Sequence, residues 1–438
     1  MSLLNRDYKI LTKLLANRLQ KVLPLLIKDD QTGCLKGRFI GENIRKIIDI
    51  FENTSSLADP GLAVFLDFEK AFDTVSWQFL KKTLKNFNFG KNFIKWIDII
   101  YNRPLCCVTN NGKASDFFEI SRGIRQGCPL SALLFILVAE VMAINIRGDE
   151  TIEGITIGNL DIKLSQYADD TSLFVRNITS LTNTLQLLEH YGRCAGLKVN
   201  KEKSEIIQLG VTDGKSDKSG LKWVDGPIKT LGVWVGKNTE EIIKINFEER
   251  IKKLENMLNM WQGRSLTIKG KITLLRAQAL PLILYTTSVL FTPKDIINRI
   301  DSLFYKFIWP KGKHHVKKEV LVQNIENGGL KMPDVGSMIK SLKLTWIKRL
   351  IDGDTSFSKI ASNHAKIPNI KHFIKYKNEE KFLRHDMPSF YKQIFSYWFE
   401  IFSINPVTHN EVLNEYIQKN KFILINDKPI SGNRWSQV

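Results

Sequence analysis

Cysteine is scarce in this chain of 438 residues: Cys34, Cys106, Cys107, Cys128 and Cys194 are the whole complement of 5. The number is odd and no pair is spaced Cys-x-x-Cys. That argues against a disulfide framework and against a zinc ribbon or knuckle, and leaves reduced, mostly buried thiols as the expectation. Uninterrupted apolar runs are also short, none approaching the roughly 20 residues that cross a bilayer, so no membrane is expected as a partner. The segment Met1-Ser2-Leu3-Leu4-Asn5-Arg6-Asp7 lacks the basic-then-apolar pattern of a secretory signal. The expected location is therefore intracellular, in nucleus and cytoplasm. Internal repeats and low-complexity tracts are lacking too.

Negative charge is in deficit. Against 64 Lys and Arg stand 45 Asp and Glu, a net +19. The excess is uneven: +3 over residues 1–60, +2 over 61–236, +8 over 237–320 and +6 over 321–438. A nearly balanced middle followed by a basic half suits a polyanion laid across both. A solvated basic surface is the plainer alternative.

The informative stretch lies in the balanced part: Gln166-Tyr167-Ala168-Asp169-Asp170-Thr171-Ser172-Leu173-Phe174. Its apolar flanks predict two short strands with Ala168, Asp169 and Asp170 at the bend. Adjacent carboxylates on a tight turn repel one another and lose hydration, so a hard cation such as Mg²⁺ is their usual partner. Asp-Asp is also a common turn dipeptide. Tyr-Ala-Asp-Asp is rarer, expected by chance in roughly one chain of this length in several hundred at average composition.

Other elements follow from periodicity and turn chemistry. Residues 3–28 read as a helix closed by Pro24 and Asp29-Asp30, and a second runs from about Gly41 to Asn53. Leu62 to Leu66 is a buried strand ending at Asp67. Helices are expected near Ser76–Phe87 and Asn92–Tyr101, then a hairpin around Asn110-Asn111-Gly112. Pro129 is read as the first position of an apolar helix to about Ile146. A helix over 178–195, a surface loop over Gly210–Gly226 and a strand over Leu231–Val235 come next. From about Thr239 the pattern is helical, with Phe247, Ile251, Leu254, Leu258 and Trp261 on one apolar face. The aromatic stripe Phe390, Tyr391, Phe395, Trp398, Phe399, Phe402 could stack bases, but at helical spacing it reads more readily as core.

If the strands carrying Asp67 and Asp169-Asp170 are neighbours in one antiparallel sheet, three carboxylates converge at one edge. This donor set suits two Mg²⁺ ions about 3.5–4 Å apart, with the Phe68 carbonyl as a natural further oxygen ligand. Between these blocks lies Arg122-Gly123-Ile124-Arg125-Gln126-Gly127-Cys128-Pro129-Leu130-Ser131. Its glycines permit close backbone approach to a sugar or base, while Arg125 and Gln126 supply donors.

The order of blocks resembles the reverse transcriptase of non-long-terminal-repeat (LINE-type) retrotransposons. The resemblance rests on Ser2-Leu3-Leu4-Asn5 with Tyr8-Lys9, Leu15 to Leu19, Gln31 to Arg38, Phe65 to Asp73, Arg122 to Ser131 and Tyr167 to Asp170. Gly196 to Asn200 with Lys203-Ser204, Leu231-Gly232, Trp309 and Gly328 to Pro333 continue it. It implies an α/β (α+β) right-hand polymerase palm with partial fingers, a helical thumb and a mostly helical C-terminal extension. The expected divisions are fingers 1–60, palm 61–210, loop and primer-grip hairpin 211–236, thumb 237–320 and extension 321–438.

The resemblance also assigns roles. Asp67, Asp169 and Asp170 would be catalytic metal ligands with Phe68, holding two Mg²⁺ for which Mn²⁺ can substitute. Phe72 would lie under the incoming sugar and exclude a 2′-hydroxyl. Gln126, Gly127 and Lys203 would meet the dNTP, and Lys36, Arg38, Arg125, Leu231 and Gly232 the template and primer. Implied partners are an RNA template, a DNA primer or target, and dNTPs; the sequence leaves the oligomeric state unknown.

Family features that usually precede Ser2-Leu3-Leu4-Asn5, an Arg-Pro-Ile and an endonuclease domain, are not in the sequence, and no Cys follows Cys194. The expectation is an incomplete reading frame. Two alternatives stand beside the polymerase: a truncated nucleic-acid-binding remnant without activity, and an intron-maturase or telomerase-like enzyme.

Overall fold

The computed structural model describes residues 4–55, 61–210, 219–310, 312, 316–351, 355–366, 386–404, 424–425 and 428–429. The chain divides into two units, Met1–Lys237 and Asn238–Val438. Ser2, Leu3 and residues 211–218 lie outside the described residues, as does the Phe402 side chain.

The first unit opens with α1 (Arg6–Leu26) and α2 (Ile40–Thr54). Pro24 does not close α1 but lies inside it. So near the last turn, the N–H that proline lacks costs the helix a single bond. α1 buries Leu15, Ala16, Leu19 and Leu23, while Ile10, Leu14 and Val22 of the expected apolar face are exposed.

β1 (Leu62–Leu66) is buried at all five positions, as its unbroken apolar run required. It is followed by α3 (Ala71–Thr74), α4 (Trp77–Asn86) and α5 (Lys91–Ile100). Ser76 caps α4, its side chain accepting from the Phe79 N–H. A small ribbon comes next, β2 (Leu105–Cys106) paired with β5 (Phe118–Glu119) and β3 (Thr109–Asn110) paired with β4 (Lys113–Ala114). Its Asn111-Gly112 turn has φ of 50° and 77°, the hairpin geometry that this dipeptide favours.

α6 (Ser131–Gly148) starts two residues after Pro129 and is buried around most of its circumference, not on one face. It packs with α1, α4 and α7 (Ile178–Ala195). α7 starts at Asn177, whose side chain accepts from the Ser180 N–H, and ends at Gly196 in the left-handed conformation.

The remaining strands are β6 (Ile155–Ile157), β7 (Leu160–Ile162), β8 (Leu164–Tyr167), β9 (Asp170–Val175), β10 (Glu205–Gln208), β11 (Lys222–Trp223), β12 (Ile228–Thr230) and β13 (Val233–Val235). The main sheet has the order β11-β10-β1-β9-β8, with β1 antiparallel to both neighbours. β11 corrects the expected loop over 210–226, because Lys222 and Trp223 pair parallel with β10. Leu231-Gly232 is the turn of the β12–β13 hairpin and not part of a strand. The free thiols are less buried than expected: Cys128 is buried, Cys34 and Cys194 exposed.

The second unit is helical: α8 (Thr239–Gln262), α9 (Ile268–Leu274), α10 (Leu280–Val289), α11 (Lys294–Ile308), α12 (Lys318–Val322), α13 (Val335–Ile351), α14 (Ser356–His364) and α15 (Ser389–Ile404), with a short final strand pair at Leu424–Ile425 and Lys428–Pro429. α8 buries Phe247, Ile251, Leu254 and Leu258 of its expected apolar face and leaves Trp261 half-buried. A π-helical segment, Leu275–Ala279, joins α9 to α10 just before Pro281. The widened turn accommodates a residue that has no N–H to donate. Phe390, Tyr391, Phe395 and Phe399 are buried and Trp398 is half-buried, so these members of the aromatic stripe belong to the core. Two helices, Ser131–Gly148 and Ile268–Val289, are long and apolar enough to cross a membrane, with 67% and 56% of their residues buried in the protein.

Candidate active site

Asp67 directly follows β1, and β8 and β9 meet in a two-residue turn at Ala168-Asp169. Ala168 takes φ +55°, uncommon for a residue with a side chain. In the β1–β9 register Leu66 faces Thr171. Asp67 follows Leu66 and Asp170 precedes Thr171, so the pairing leaves the two near each other at the strand ends, close enough for the Asp67 charge to act on Asp170. Asp169 sits beside them on the turn. The three predicted carboxylates are therefore brought together.

Their electrostatics follow from that placement. The Asp170 carboxyl is pushed up to about 6, first by burial and then by Asp169 and Asp67. Asp170 still touches solvent, so the repulsion is partly screened. None of the three carboxylates has a Lys or Arg partner among the described residues. A set of hard oxygen donors left with unrelieved repulsion fits a divalent cation.

Backbone bonds hold Asp67 from its other side. Its N–H donates to Ser204 Oγ (3.1 Å), and its carbonyl accepts from the Asn200 N–H (2.8 Å). Ser204 Oγ in turn donates to the Asn200 carbonyl (2.7 Å). Phe68 bridges Val199, and the Glu69 N–H donates to the Lys198 carbonyl (2.9 Å). The Gly196–Ser204 block thus lies against the strand end. Gly196 permits this, since a Cβ there would stand 2.1 Å from the Thr74 carbonyl oxygen. Lys203 is exposed and forms no ion pair among the described residues.

Phe72 lies on α3, half-buried, its ring stacked on Phe135 at 4.5 Å and 19°. The Phe72 carbonyl accepts from the Ile124 N–H (2.7 Å) and the Val75 carbonyl from the Gly123 N–H (2.8 Å). Trp77 Nε1 donates to the Gly123 carbonyl (2.7 Å). These bonds fasten the 122–131 block beside the Asp67 block. Gln126 and Gly127 are exposed on that loop, with Gly127 at φ +78°. The Arg125 guanidinium stacks 4.8 Å over the Tyr8 ring and donates to the Ile100 carbonyl (3.3 Å).

The loop following α1 divides its predicted residues. Lys36 is exposed. Arg38 turns inward, where its guanidinium donates to the carbonyls of Ile27 (2.6 Å), Lys28 and Gln31. It therefore closes the end of α1, a job for which its planar fork of donors is suited. Leu231 (φ +47°) and Gly232 (φ +78°) form the tight turn of the β12–β13 hairpin, within which Lys229 stacks 5.3 Å over Trp234.

Sequence reasoning missed the supports of the aspartate turn. Gln31 and Asn43 are both buried against it. Asn43 Nδ2 donates to the Gln166 carbonyl (2.7 Å) and to Ser165 Oγ (3.0 Å). Backbone bonds join Gln166 to Asp30 (2.7 Å) and Thr32 to Gln166 (2.9 Å). The one available signal was Gln31 standing in a glycine-punctuated loop, and that gives no partner.

Comparisons with known proteins identify the family. A family model described as reverse transcriptase (RNA-dependent DNA polymerase) matches residues 1–235. The chain is similar to the transposon TX1 uncharacterized 149 kDa protein of Xenopus laevis, 30% identical over 365 residues. That match takes in 81% of this chain and 27% of the relative, so the chain spans about a quarter of its length. It is also similar to a Pol polyprotein of the type-1 retrotransposable element R2 from Popillia japonica, 25% identical over 61% of this chain and 45% of that one. Among solved structures, apo telomerase from Candida tropicalis aligns over 81% of this chain and 61% of its own, at 11% identity and a TM-score of 0.44.

Proposed function

Because the chain belongs to the reverse transcriptase (RNA-dependent DNA polymerase) family, with proteins of non-long-terminal-repeat retrotransposons as its relatives, we propose that it extends a DNA primer along an RNA template with dNTPs. The observation that carries this reading is the pairing of β1 with β9, which brings Asp67 close enough to act on Asp170, with Asp169 on the adjoining turn and no Lys or Arg among the described residues pairing with them. Residues 1–60 are read as fingers, 61–210 as palm, 211–236 as loop and primer-grip hairpin, 237–320 as thumb and 321–438 as extension.

Reverse transcriptases use divalent metal ions, and here the ion is proposed to be Mg²⁺, with Mn²⁺ able to replace it. Asp67, Asp169, Asp170 and the Phe68 carbonyl would hold two such ions. When bound, they would activate the primer 3′-hydroxyl and stabilise the departing pyrophosphate. The aspartates supply the negative charge and the strand pairing supplies their fixed spacing, so little reorganisation is needed as charge develops.

The other residues bind and orient. Phe72 presents an aromatic face beside the site, held by Phe135 and by the bond between Ile124 and the Phe72 carbonyl. A phenyl ring cannot accept a hydrogen bond from a 2′-hydroxyl and leaves no room for one, which favours deoxynucleotides. Gln126 and Gly127, exposed on the loop fastened to Phe72, offer amide donors to the nucleotide. Lys203, exposed and without an ion-pair partner among the described residues, would meet the triphosphate or protonate pyrophosphate. Lys36 is the template contact of the first loop. Arg38 and Arg125 instead shape backbone and Tyr8, and act on template by positioning. Leu231-Gly232 offers a strained backbone turn to the primer. In the second unit, Lys244, Lys252, Lys269 and Arg276 are exposed cations for duplex phosphates, which confer affinity without sequence information.

The test is primer extension on an RNA template with dNTPs and Mg²⁺, wild type beside Asp169→Asn. Incorporation by the wild type that is lost in the variant, with primer–template binding retained in both, is the expected result. A wild type that binds primer–template without extending it would make the chain a nucleic-acid-binding remnant.

A further inference from the structure

The turn that carries Asp169 is not held by its own strands alone. Ala168 sits in a left-handed conformation at φ +55° with its backbone buried. Both of its backbone polar groups are met by one side chain from elsewhere in the sequence. Gln31 Oε1 accepts from the Ala168 N–H (2.9 Å), and Gln31 Nε2 donates to the Ala168 carbonyl (3.2 Å). The same Oε1 accepts from the Gly33 N–H (2.8 Å), so the amide's own orientation is fixed. Gln31 is 1% exposed and cannot be replaced by water without repacking.

We propose, building on the polymerase reading, that Gln31 is the positioning residue of the metal-binding turn: its carboxamide holds Ala168 left-handed and thereby aims the Asp169 carboxylate toward Asp67 and Asp170. The neighbouring bonds do not do this job. Thr32 to Gln166, Gln166 to Asp30 and Asn43 to Gln166 secure strand β8 one or two residues earlier, and none of them reaches Ala168. They are made by backbone or by Asn43, so they persist when Gln31 is changed, and the hairpin stays paired. What a change at Gln31 releases is the turn. An isolated alanine has no reason to remain left-handed, since its Cβ then crowds the following carbonyl.

The experiment uses Gln31→Met and Gln31→Glu. Met has the same length and no hydrogen bonds. Glu keeps an acceptor for the Gly33 and Ala168 N–H groups, but it sets a second oxygen against the Ala168 carbonyl and buries a negative charge beside the aspartate turn. Mn²⁺ binding to the protein alone is counted by the electron paramagnetic resonance of free Mn²⁺, and kcat and KM for dNTP are measured by primer extension. Expected are a loss of Mn²⁺ affinity and of kcat in Gln31→Met of about 10- to 100-fold, the range for removing the support of a metal ligand. KM for dNTP and primer–template binding stay at wild-type values, and Gln31→Glu, which keeps the length but not the donor, loses at least as much kcat as Gln31→Met. If Gln31→Met fails to unfold cooperatively, Gln31→Asn replaces it, its amide being one methylene too short to span to Ala168. Wild-type Mn²⁺ affinity and kcat in the bond-breaking variant, while Asp169→Asn has lost both, would overturn the inference and leave the polymerase reading intact. A wild type with neither Mn²⁺ binding nor incorporation would overturn both.

Discussion

Replacing Gly33 with alanine should displace the metal-binding turn without touching a functional side chain. A Cβ at this position would stand 2.3 Å from the Ala168 nitrogen, 3.0 Å from its Cα and 3.0 Å from Gln31 Oε1. Real Cβ contacts do not fall below 3.0 Å, so loop and turn must part by at least about 0.7 Å, the difference between 3.0 and 2.3 Å. A bond of 2.9 Å from Ala168 to Gln31 would then open to about 3.6 Å, beyond hydrogen-bond length. Overpacking costs about 1–3 kcal/mol and each lost buried bond about 1 kcal/mol, so a loss of roughly 2–4 kcal/mol in stability is expected. A misplacement approaching 1 Å at a reacting centre costs on the order of 100-fold in rate. Gly37→Ala is the control. Gly37 has φ +88° with nothing within 4 Å of its Cβ position, so alanine there bears only the left-handed penalty, about 1–2 kcal/mol. Urea denaturation and Mg²⁺-dependent primer extension of both variants decide the matter. Equal stability and equal rates in Gly33→Ala and Gly37→Ala would refute the reasoning, because the two differ in what lies opposite the added methyl.

Asp67→Asn should abolish incorporation while leaving duplex affinity unchanged or slightly higher, since repulsion toward phosphate falls; fluorescence anisotropy with labelled primer–template and extension assays read the two separately, and equal loss of both would make Asp67 structural. Phe72→Val should raise the ratio of kcat/KM for ribonucleotides over deoxynucleotides at least 10-fold and, by losing the stack on Phe135, destabilise the protein by about 1–3 kcal/mol. Asp170→Asn should stabilise the metal-free protein at pH 8. The Asp170 carboxyl is raised to about 6 in the folded chain, so its contribution is favourable at low pH and is lost as pH rises through about 6. Denaturation midpoints should therefore show a gain of roughly 1 kcal/mol at pH 8, discounted for solvent screening, that shrinks as pH falls to 5. Millimolar Mg²⁺ should stabilise the wild type and not the variant.

What the chain determines locally was legible in its residues. An unbroken apolar run ending at Asp67 gave a buried strand, and Asn111-Gly112 gave its hairpin. Asn177 and Gly196 bound a helix at positions where cap chemistry puts them, and the 3.6-residue pattern of Phe247, Ile251, Leu254 and Leu258 gave a buried face. The aspartate pair on its turn was legible too, because a two-residue bend between short strands is a local event. The order of the motif blocks then brought the family into view.

Tertiary structure decided what depends on residues far apart in sequence. Pairing of β1 with β9 brings Asp67 near Asp170, a proximity that more than a hundred residues of intervening chain cannot encode locally. Lys222 and Trp223 lie in a polar, glycine-rich stretch, and only the open edge of β10 makes a strand of them. Arg38 has the composition of a phosphate contact, yet carbonyls left over at the end of α1 draw its guanidinium inward. Gln31 carries no motif of its own. Its role arises because a buried left-handed turn presents two backbone groups that must be paired, and folding brings this one amide within reach of both.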